Sequence, residues 1–244
     1  MVEVPEASVI RQITERLDAV QERIVRACQR VGRRPEDVTL IAVSKTFPVE
    51  VVAAAVEAGV RHFGENKVQE LTAKEAVLPG VYRGGDVTWH MIGHLQRNKA
   101  RDVVRTADWF HALDSRRLAE ELDKRARNEG RVLPCYVQVN VSGEASKFGI
   151  DPAHLTAFLD ELAAFEHLSV RGLMTLAEPT DDPEEVRPQF RLLRTLAEGY
   201  DASANPRVDL TDLSMGMSGD FDVAIEEGAT HVRIGSALFG PRGG

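Results

Sequence analysis

With 244 residues, 43% hydrophobic and 28% charged, the chain has apolar surface enough for one large core or for two smaller domains. A formal charge of −8 argues against nucleic acid or an anionic membrane as the main partner, and any anionic small molecule must be held by local donors against that field. Cys28 and Cys135 make no metal or redox spacing, no apolar run reaches membrane-spanning length, and Met1 to Glu6 lack the basic and apolar regions of a secretory signal, so a cytoplasmic protein is expected.

The first element runs from about Glu6 to Val31. Ile10, Ile13, Leu17, Val20, Ile24, Cys28 and Val31 step by three or four, the spacing of an amphipathic helix, and Gly32 and Pro35 end it. From there strand and helix alternate. Strands are expected at Thr39–Lys45, Val60–Gly64, Thr88–Ile92, Trp109–Leu113, Cys135–Val141, Leu168–Met174, Asp209–Met215 and His231–Gly235. Helices are expected at Val49–Glu57, Lys67–Val77, Gln96–Thr106, Arg116–Glu129, Pro152–Phe165, Glu184–Glu198 and Phe221–Glu227. Leu78–Asp86 and Glu178–Pro183 are the most loop-like stretches.

Eight strands joined by helices predict an α/β fold, a (β/α)8 TIM barrel with an extra N-terminal helix. A doubly wound sheet competes, because alternation cannot say whether a sheet closes. No linker or internal repeat divides the chain. One domain over residues 1–244 is expected, with residues 1–35 packed on the barrel as a helix.

In a barrel, chemistry sits where strands end and loops begin. Lys45 closes the run Thr39-Leu-Ile-Ala-Val-Ser-Lys45. Either it marks where the strand meets solvent, or it is an amine whose partial burial favours the neutral form that attacks a carbonyl to give a Schiff base. Parity places Lys45 on one face with Ile41 and Val43, and Arg233 with His231 and Gly235, without saying which face points inward.

The stretch Leu213-Ser-Met-Gly-Met-Ser-Gly-Asp220 and the stretch His231-Val-Arg-Ile-Gly-Ser-Ala-Leu-Phe-Gly240 each pass from strand through a glycine turn toward a helix. Gly216 and Gly219 allow a sharp turn and close backbone approach, and Ser218 and Ser236 offer hydroxyls. Alone, either loop could be an ordinary turn with a capping serine. Following the last two strands together, they match a phosphate site of (β/α)8 barrels. Arg233, inside the last strand, needs a partner for its fixed charge, either an acid of the chain or an acceptor on a ligand. An amine, a phosphate cradle and an arginine between them match pyridoxal 5′-phosphate (PLP). His90 and His94, beside Trp89 and Met91, read first as hydrogen-bonded core or rim residues. No histidine has the spacing of a metal site.

The chain resembles the pyridoxal phosphate homeostasis proteins, a small family related to the barrel domain of alanine racemase. The resemblance is carried by Val43-Ser-Lys-Thr46, Phe63-Gly-Glu-Asn-Lys-Val-Gln-Glu70, Trp89-His-Met-Ile-Gly-His-Leu-Gln-Arg-Asn-Lys99, Gly172-Leu-Met174, Ser214-Met-Gly-Met-Ser-Gly-Asp220, Val232-Arg-Ile-Gly235 and Phe239-Gly240. Lys67 stands where many relatives have an aromatic residue. The resemblance implies a monomer with Lys45 as the Schiff-base lysine. It also implies Ser218, Gly235 and Ser236 around the phosphate, Arg233 at the pyridine nitrogen, and Asn66 and Met217 near the cofactor.

The function it implies is carrying or buffering PLP and maintaining vitamin B6 homeostasis, with apo PLP-dependent enzymes as recipients and no established catalysis. In alanine racemase the second acid–base group comes from another domain of the partner subunit. Here the sequence stops just after the eighth strand, so no such domain is expected. Two other readings stand beside the carrier: a PLP-dependent racemase or decarboxylase of unknown substrate, and a cofactor-free Schiff-base aldolase acting on a sugar phosphate.

Overall fold

Apolar runs bounded by turn residues form eight parallel strands in a computed structural model that describes residues 5–81, 87–144 and 147–240. They are β1 (Thr39–Val43), β2 (His62–Glu65), β3 (Thr88–Met91), β4 (Trp109–Leu113), β5 (Leu133–Gln138), β6 (Leu168–Met174), β7 (Val208–Met217) and β8 (His231–Ile234). Each pairs with the next, and β8 pairs back onto β1, so the sheet closes into a barrel. The doubly wound alternative is thereby excluded.

The connections carry α2 (Val49–Glu57), α3 (Val68–Val81), α4 (Ala100–Thr106), α5 (Arg116–Asn128), α6 (Leu155–Glu161), α7 (Arg187–Glu198) and α8 (Phe221–Glu226), and α9 (Ser236–Phe239) follows β8. Three expected helices begin with a tight 3-10 turn: Arg97–Lys99, Pro152–His154 and Pro183–Val186. Of the expected loop Leu78–Asp86, Leu78–Val81 is helical and residues 82–86 lie outside the described residues.

Helix α1 (Ala7–Arg30) buries Ile13, Leu17, Val20, Ile24, Ala27 and Cys28 against α2, α8 and α9. Gly32, at φ +68°, ends it, and the Arg33 amide donates back to the Cys28 carbonyl at 3.0 Å, a glycine-terminated cap. Arg33 Nη1 also donates to the Ile225 carbonyl at 2.7 Å, and Arg23 pairs with Asp222 while lying over the Phe221 ring. The helix is thus fastened to the barrel wall beside the last two strands.

The open question of parity is settled. Ala42, Phe63, Val232 and Ile234 point outward into the core beneath the helices. Ile41, Val43, His62, His231 and Arg233 point into the barrel. β1 ends at Val43 rather than Lys45, because Thr46 takes φ +70°, a left-handed conformation that no strand can continue through.

Candidate functional site

The C-terminal ends of the strands open into a cavity of about 730 Å³. Lys45, Asn66, Met217, Ser218, Arg233, Gly235 and Ser236 all line it. These residues come from the ends of four strands, and the fold brings together positions up to 191 residues apart in sequence (236 − 45).

At the lysine end, Lys45 is half-buried and follows the last paired residues of β1. The Ser44 amide donates to the Gly64 carbonyl at 3.1 Å, carrying the ladder one residue beyond the strand. Asn66 follows β2, and its backbone passes against Gly93. A Cβ on Gly93 would lie 2.3 Å from the Asn66 carbonyl oxygen, so only glycine lets the two loops meet.

Beside Lys45, because β8 pairs with β1, the loops after β7 and β8 interlock through one hydroxyl. Ser218 Oγ accepts from the Gly235 amide at 3.2 Å and the Ala237 amide at 3.3 Å. Its own proton is left to donate into the cavity. Gly216 makes this turn possible: it sits at φ +92°, and a Cβ there would lie 2.6 Å from that of Ala224. Gly219 has no such requirement, since a Cβ there would meet open space. A Cβ on Gly235 would meet Val43 only at ordinary contact distance, 3.6 Å, so the room beside Gly235 belongs to the cavity.

Arg233, within β8, lines the same cavity and is buried, 3% exposed. Nη1 donates to Ser214 Oγ and Nη2 to the Thr175 carbonyl, both at 2.7 Å, so its partners are neutral oxygens and not the acid of a structural ion pair. Burial pulls its pKa down to about 10, and the charge of Asp220 opposes that shift, so the guanidinium keeps its proton at neutral pH.

Behind Arg233 a file of side chains fills the barrel. His111 Nδ1 lies 2.9 Å from Ser214 Oγ, His90 Nδ1 2.8 Å from His111 Nε2, and His62 Nδ1 3.0 Å from His90 Nε2. Because Ser214 Oγ already accepts from arginine, its proton is assigned to His111, and donor–acceptor balance then makes each histidine donate to the next. Burial holds His90 and His111 well below the ordinary imidazole range, lowers His62, and brings His231 to about 4. His90 is therefore a buried, hydrogen-bonded interior residue, 0% exposed.

His94 lines the cavity, stacked on Phe148 with ring centroids 3.7 Å apart and its Nδ1 3.0 Å from Asp114. Asn140 organises the loop after β5, donating to the Glu144 carbonyl at 2.8 Å and accepting from Ser142 Oγ at 3.0 Å. Among the described residues, no cluster of His, Cys, Asp or Glu could hold a metal, and no helix is long and apolar enough to cross a membrane.

A family model described as "Alanine racemase, N-terminal domain" matches residues 16–243. A pyridoxal phosphate homeostasis protein of Aquifex aeolicus is 43% identical over 93% of this chain and 97% of its own. The chain belongs to the alanine racemase N-terminal-domain family, among the pyridoxal phosphate homeostasis proteins. Two solved structures extend the likeness within this family's barrel. A protein of Bifidobacterium adolescentis superposes with a TM-score of 0.90 at 36% identity, covering 98% of each chain. PipY of Synechococcus elongatus, solved with PLP bound, superposes with a TM-score of 0.81 at 42% identity, covering 93% of this chain and all of its own.

Several groups around this homeostasis-family site were not singled out by sequence reasoning. Ser214 and the Thr175 carbonyl hold Arg233, and Asp220 acts on it through space. Glu65, Glu70 and Lys74 surround the turn after Lys45. An acid directly after Gly64, ending an otherwise apolar strand, was the available signal for Glu65. Lys74 gave none beyond its spacing of four from Glu70.

Proposed function

We propose that this chain binds pyridoxal 5′-phosphate at the C-terminal mouth of its barrel and carries it, serving PLP homeostasis rather than turnover of a substrate. The observation that carries the reading is the convergence of an amine, a buried guanidinium and two hydroxyl-bearing loops on one cavity. These groups fit the cofactor: the Ser218 hydroxyl and the interlocked loop suit a phosphate, and the space beside Gly235 is not taken by protein. The PLP bound in the PipY structure and the name of the Aquifex relative support the same reading.

The cofactor supplies an aldehyde that a primary amine captures with loss of water. All else falls to the chain. Lys45 presents the amine, Ser218, Gly235 and Ser236 hold the phosphate, and Asn66 and Met217 flank the ring. Arg233 donates to the ring nitrogen but keeps its own proton, which leaves the ring a weaker electron sink than a carboxylate partner would. That favours holding over catalysis. The protein acts as a cytoplasmic monomer and hands PLP to apo PLP-dependent enzymes.

The purified protein mixed with PLP should gain a visible absorbance band that borohydride bleaches, fixing a phosphopyridoxyl mass on the peptide containing Ser44-Lys45-Thr46. Lys45→Ala should abolish the band. Finding the mass on Lys67, Lys99 or Lys147 would overturn the assignment, and finding none would return the cofactor-free aldolase reading.

A further inference from the structure

Thr46 is, among the described residues, the non-glycine residue with a left-handed backbone, φ +70°. A β-branched residue avoids that conformation, so something must hold it there. The tethers take the residues on either side of Lys45. The Thr46 amide donates to Glu70 Oε2 at 2.7 Å, and Lys74 Nζ donates to the Ser44 carbonyl at 2.7 Å. Ser44 Oγ donates to Glu65 Oε1 at 2.7 Å, and Lys74 Nζ reaches the same oxygen at 2.6 Å. The Phe47 amide closes the turn onto the Ser44 carbonyl at 3.1 Å, and its ring packs on Phe239 beside the phosphate loop.

The cluster is buried on the outer side of β2, with Glu65 0% and Lys74 7% exposed. Stability alone does not explain it. Well-packed apolar residues commonly serve a buried position as well as ions do, and here Glu65 Oε2 has no hydrogen-bond partner. What the ions uniquely provide is three directed grips on Ser44 and Thr46, the residues on either side of Lys45.

We propose that Glu65, Glu70 and Lys74 are positioning residues for Lys45, locking the left-handed turn at Thr46 so that the amine is delivered to the aldehyde of its ligand. They touch neither ligand nor reacting atoms and act through the backbone of Ser44 and Thr46. The inference rests on the PLP reading for its ligand but not for its geometry, and the test separates the two.

PLP and pyridoxine 5′-phosphate share ring and phosphate, but only PLP carries the aldehyde. Lys74→Met should slow growth of the visible PLP band about tenfold, the scale on which small misplacements act. Its affinity for pyridoxine 5′-phosphate should stay within about twofold of wild type, as expected for sites without shared partners. Adding Thr46→Gly, which removes the objection to a positive φ, should recover part of the lost rate. A merely structural cluster would give no such rescue. Glu70→Ala, at the solvent edge, removes the acceptor for the Thr46 amide and the longer ion pairs to Lys74 and Lys67, at 3.7 and 3.9 Å, but leaves Lys74 on Glu65 and Ser44. It should slow linkage about threefold, which keeps the test open if Lys74→Met fails to fold.

Site-resolved acetylation with acetic anhydride reads the amine without PLP. In Lys74→Met the labelling rate of Lys45 should change at least about threefold, while Lys67 and Lys99 stay as in wild type. Unchanged linkage and unchanged Lys45 labelling would overturn the proposal, as would a parallel loss of PLP and pyridoxine 5′-phosphate binding. If the wild type forms no band but Lys45 labelling changes as stated, the positioning role stands and the cofactor reading falls.

Discussion

Two nitrogen groups that line the cavity, the Lys45 amine and the Arg233 guanidinium, are held in opposite ways. Lys45 is positioned from outside the barrel, through the backbone of its neighbours, by a cluster of full charges. Arg233 is positioned from inside, through its own guanidinium, by neutral oxygens backed by a file of neutral histidines. On the proposed PLP reading, the difference follows from what each group would do. An amine that bonds and releases a ligand needs a fixed root and a movable tip. A guanidinium that only donates hydrogen bonds needs a fixed tip, and a carboxylate clamped onto it would compete with the ligand for its remaining N–H groups.

The largest effect that could break this contrast belongs to the arginine. Arg233→Met removes two buried hydrogen bonds and the donor proposed to face the ligand. Affinity for PLP should fall by about 2–3 kcal/mol, the range for charge-assisted bonds. If Arg233 holds the ring as proposed, whether or not the aldehyde is linked, pyridoxine 5′-phosphate should lose the same amount, measured by equilibrium titration of intrinsic fluorescence. A loss confined to PLP would mean that Arg233 acts on Lys45, and the two supports would not be independent.

A second test asks whether the backing is truly neutral. His231 has a folded pKa of about 4, lowered first by burial and then by His62 and Arg233, against an ordinary value near 6.5, and the Tyr136 hydroxyl lies 3.3 Å from its ring. Between those values the unfolded chain binds the extra proton. The contribution is therefore present above the unfolded pKa and lost as pH falls toward the folded one. For His231 alone the loss from pH 7 to pH 5 is about 2 kcal/mol, with His62, His90 and His111 acting in the same direction. Urea unfolding at the two pH values should show the fall, and His231→Phe should flatten it even if it lowers stability overall. A wild-type midpoint independent of pH over this interval would mean that the file is not buried and neutral.

The contrast itself was only half visible in the sequence. The strand bounds at Trp109–Leu113 and Leu168–Met174 were legible residue for residue, because β-branched and apolar runs meet turn residues at both ends. Lys45 and Arg233 were legible as cations ending or interrupting apolar strands. Their supports were not. Ser214 and Thr175 lie 19 and 58 residues from Arg233, and strand parity without a direction cannot say that they share its interior. The strand was read two residues too far at Lys45, since nothing local marks a threonine as left-handed. Lys74 carries no local mark beyond its spacing of four from Glu70; only the packing of α3 back on β2 sets it on Glu65, and only the pairing of β1 with β2 brings Ser44 to both.

The smallest expected effect sharpens the description of the phosphate side. Ser218→Ala removes a hydroxyl that would donate to the anion, which alone would weaken binding by about 1 kcal/mol. The same substitution uncovers the Gly235 and Ala237 amides, which now donate to Ser218 Oγ. Two released backbone donors partly replace the lost one, so affinity for pyridoxine 5′-phosphate should fall only about two- to threefold. Ser236→Ala uncovers no amide and should give the larger loss of the two, about fivefold for one hydrogen bond. Titration of both variants with pyridoxine 5′-phosphate, which cannot link to Lys45, isolates this side of the cavity. If Ser218→Ala costs about thirtyfold or more, its hydroxyl is the principal ligand and not an exchangeable cover. The phosphate would then be held, like the ring, by a fixed side-chain tip.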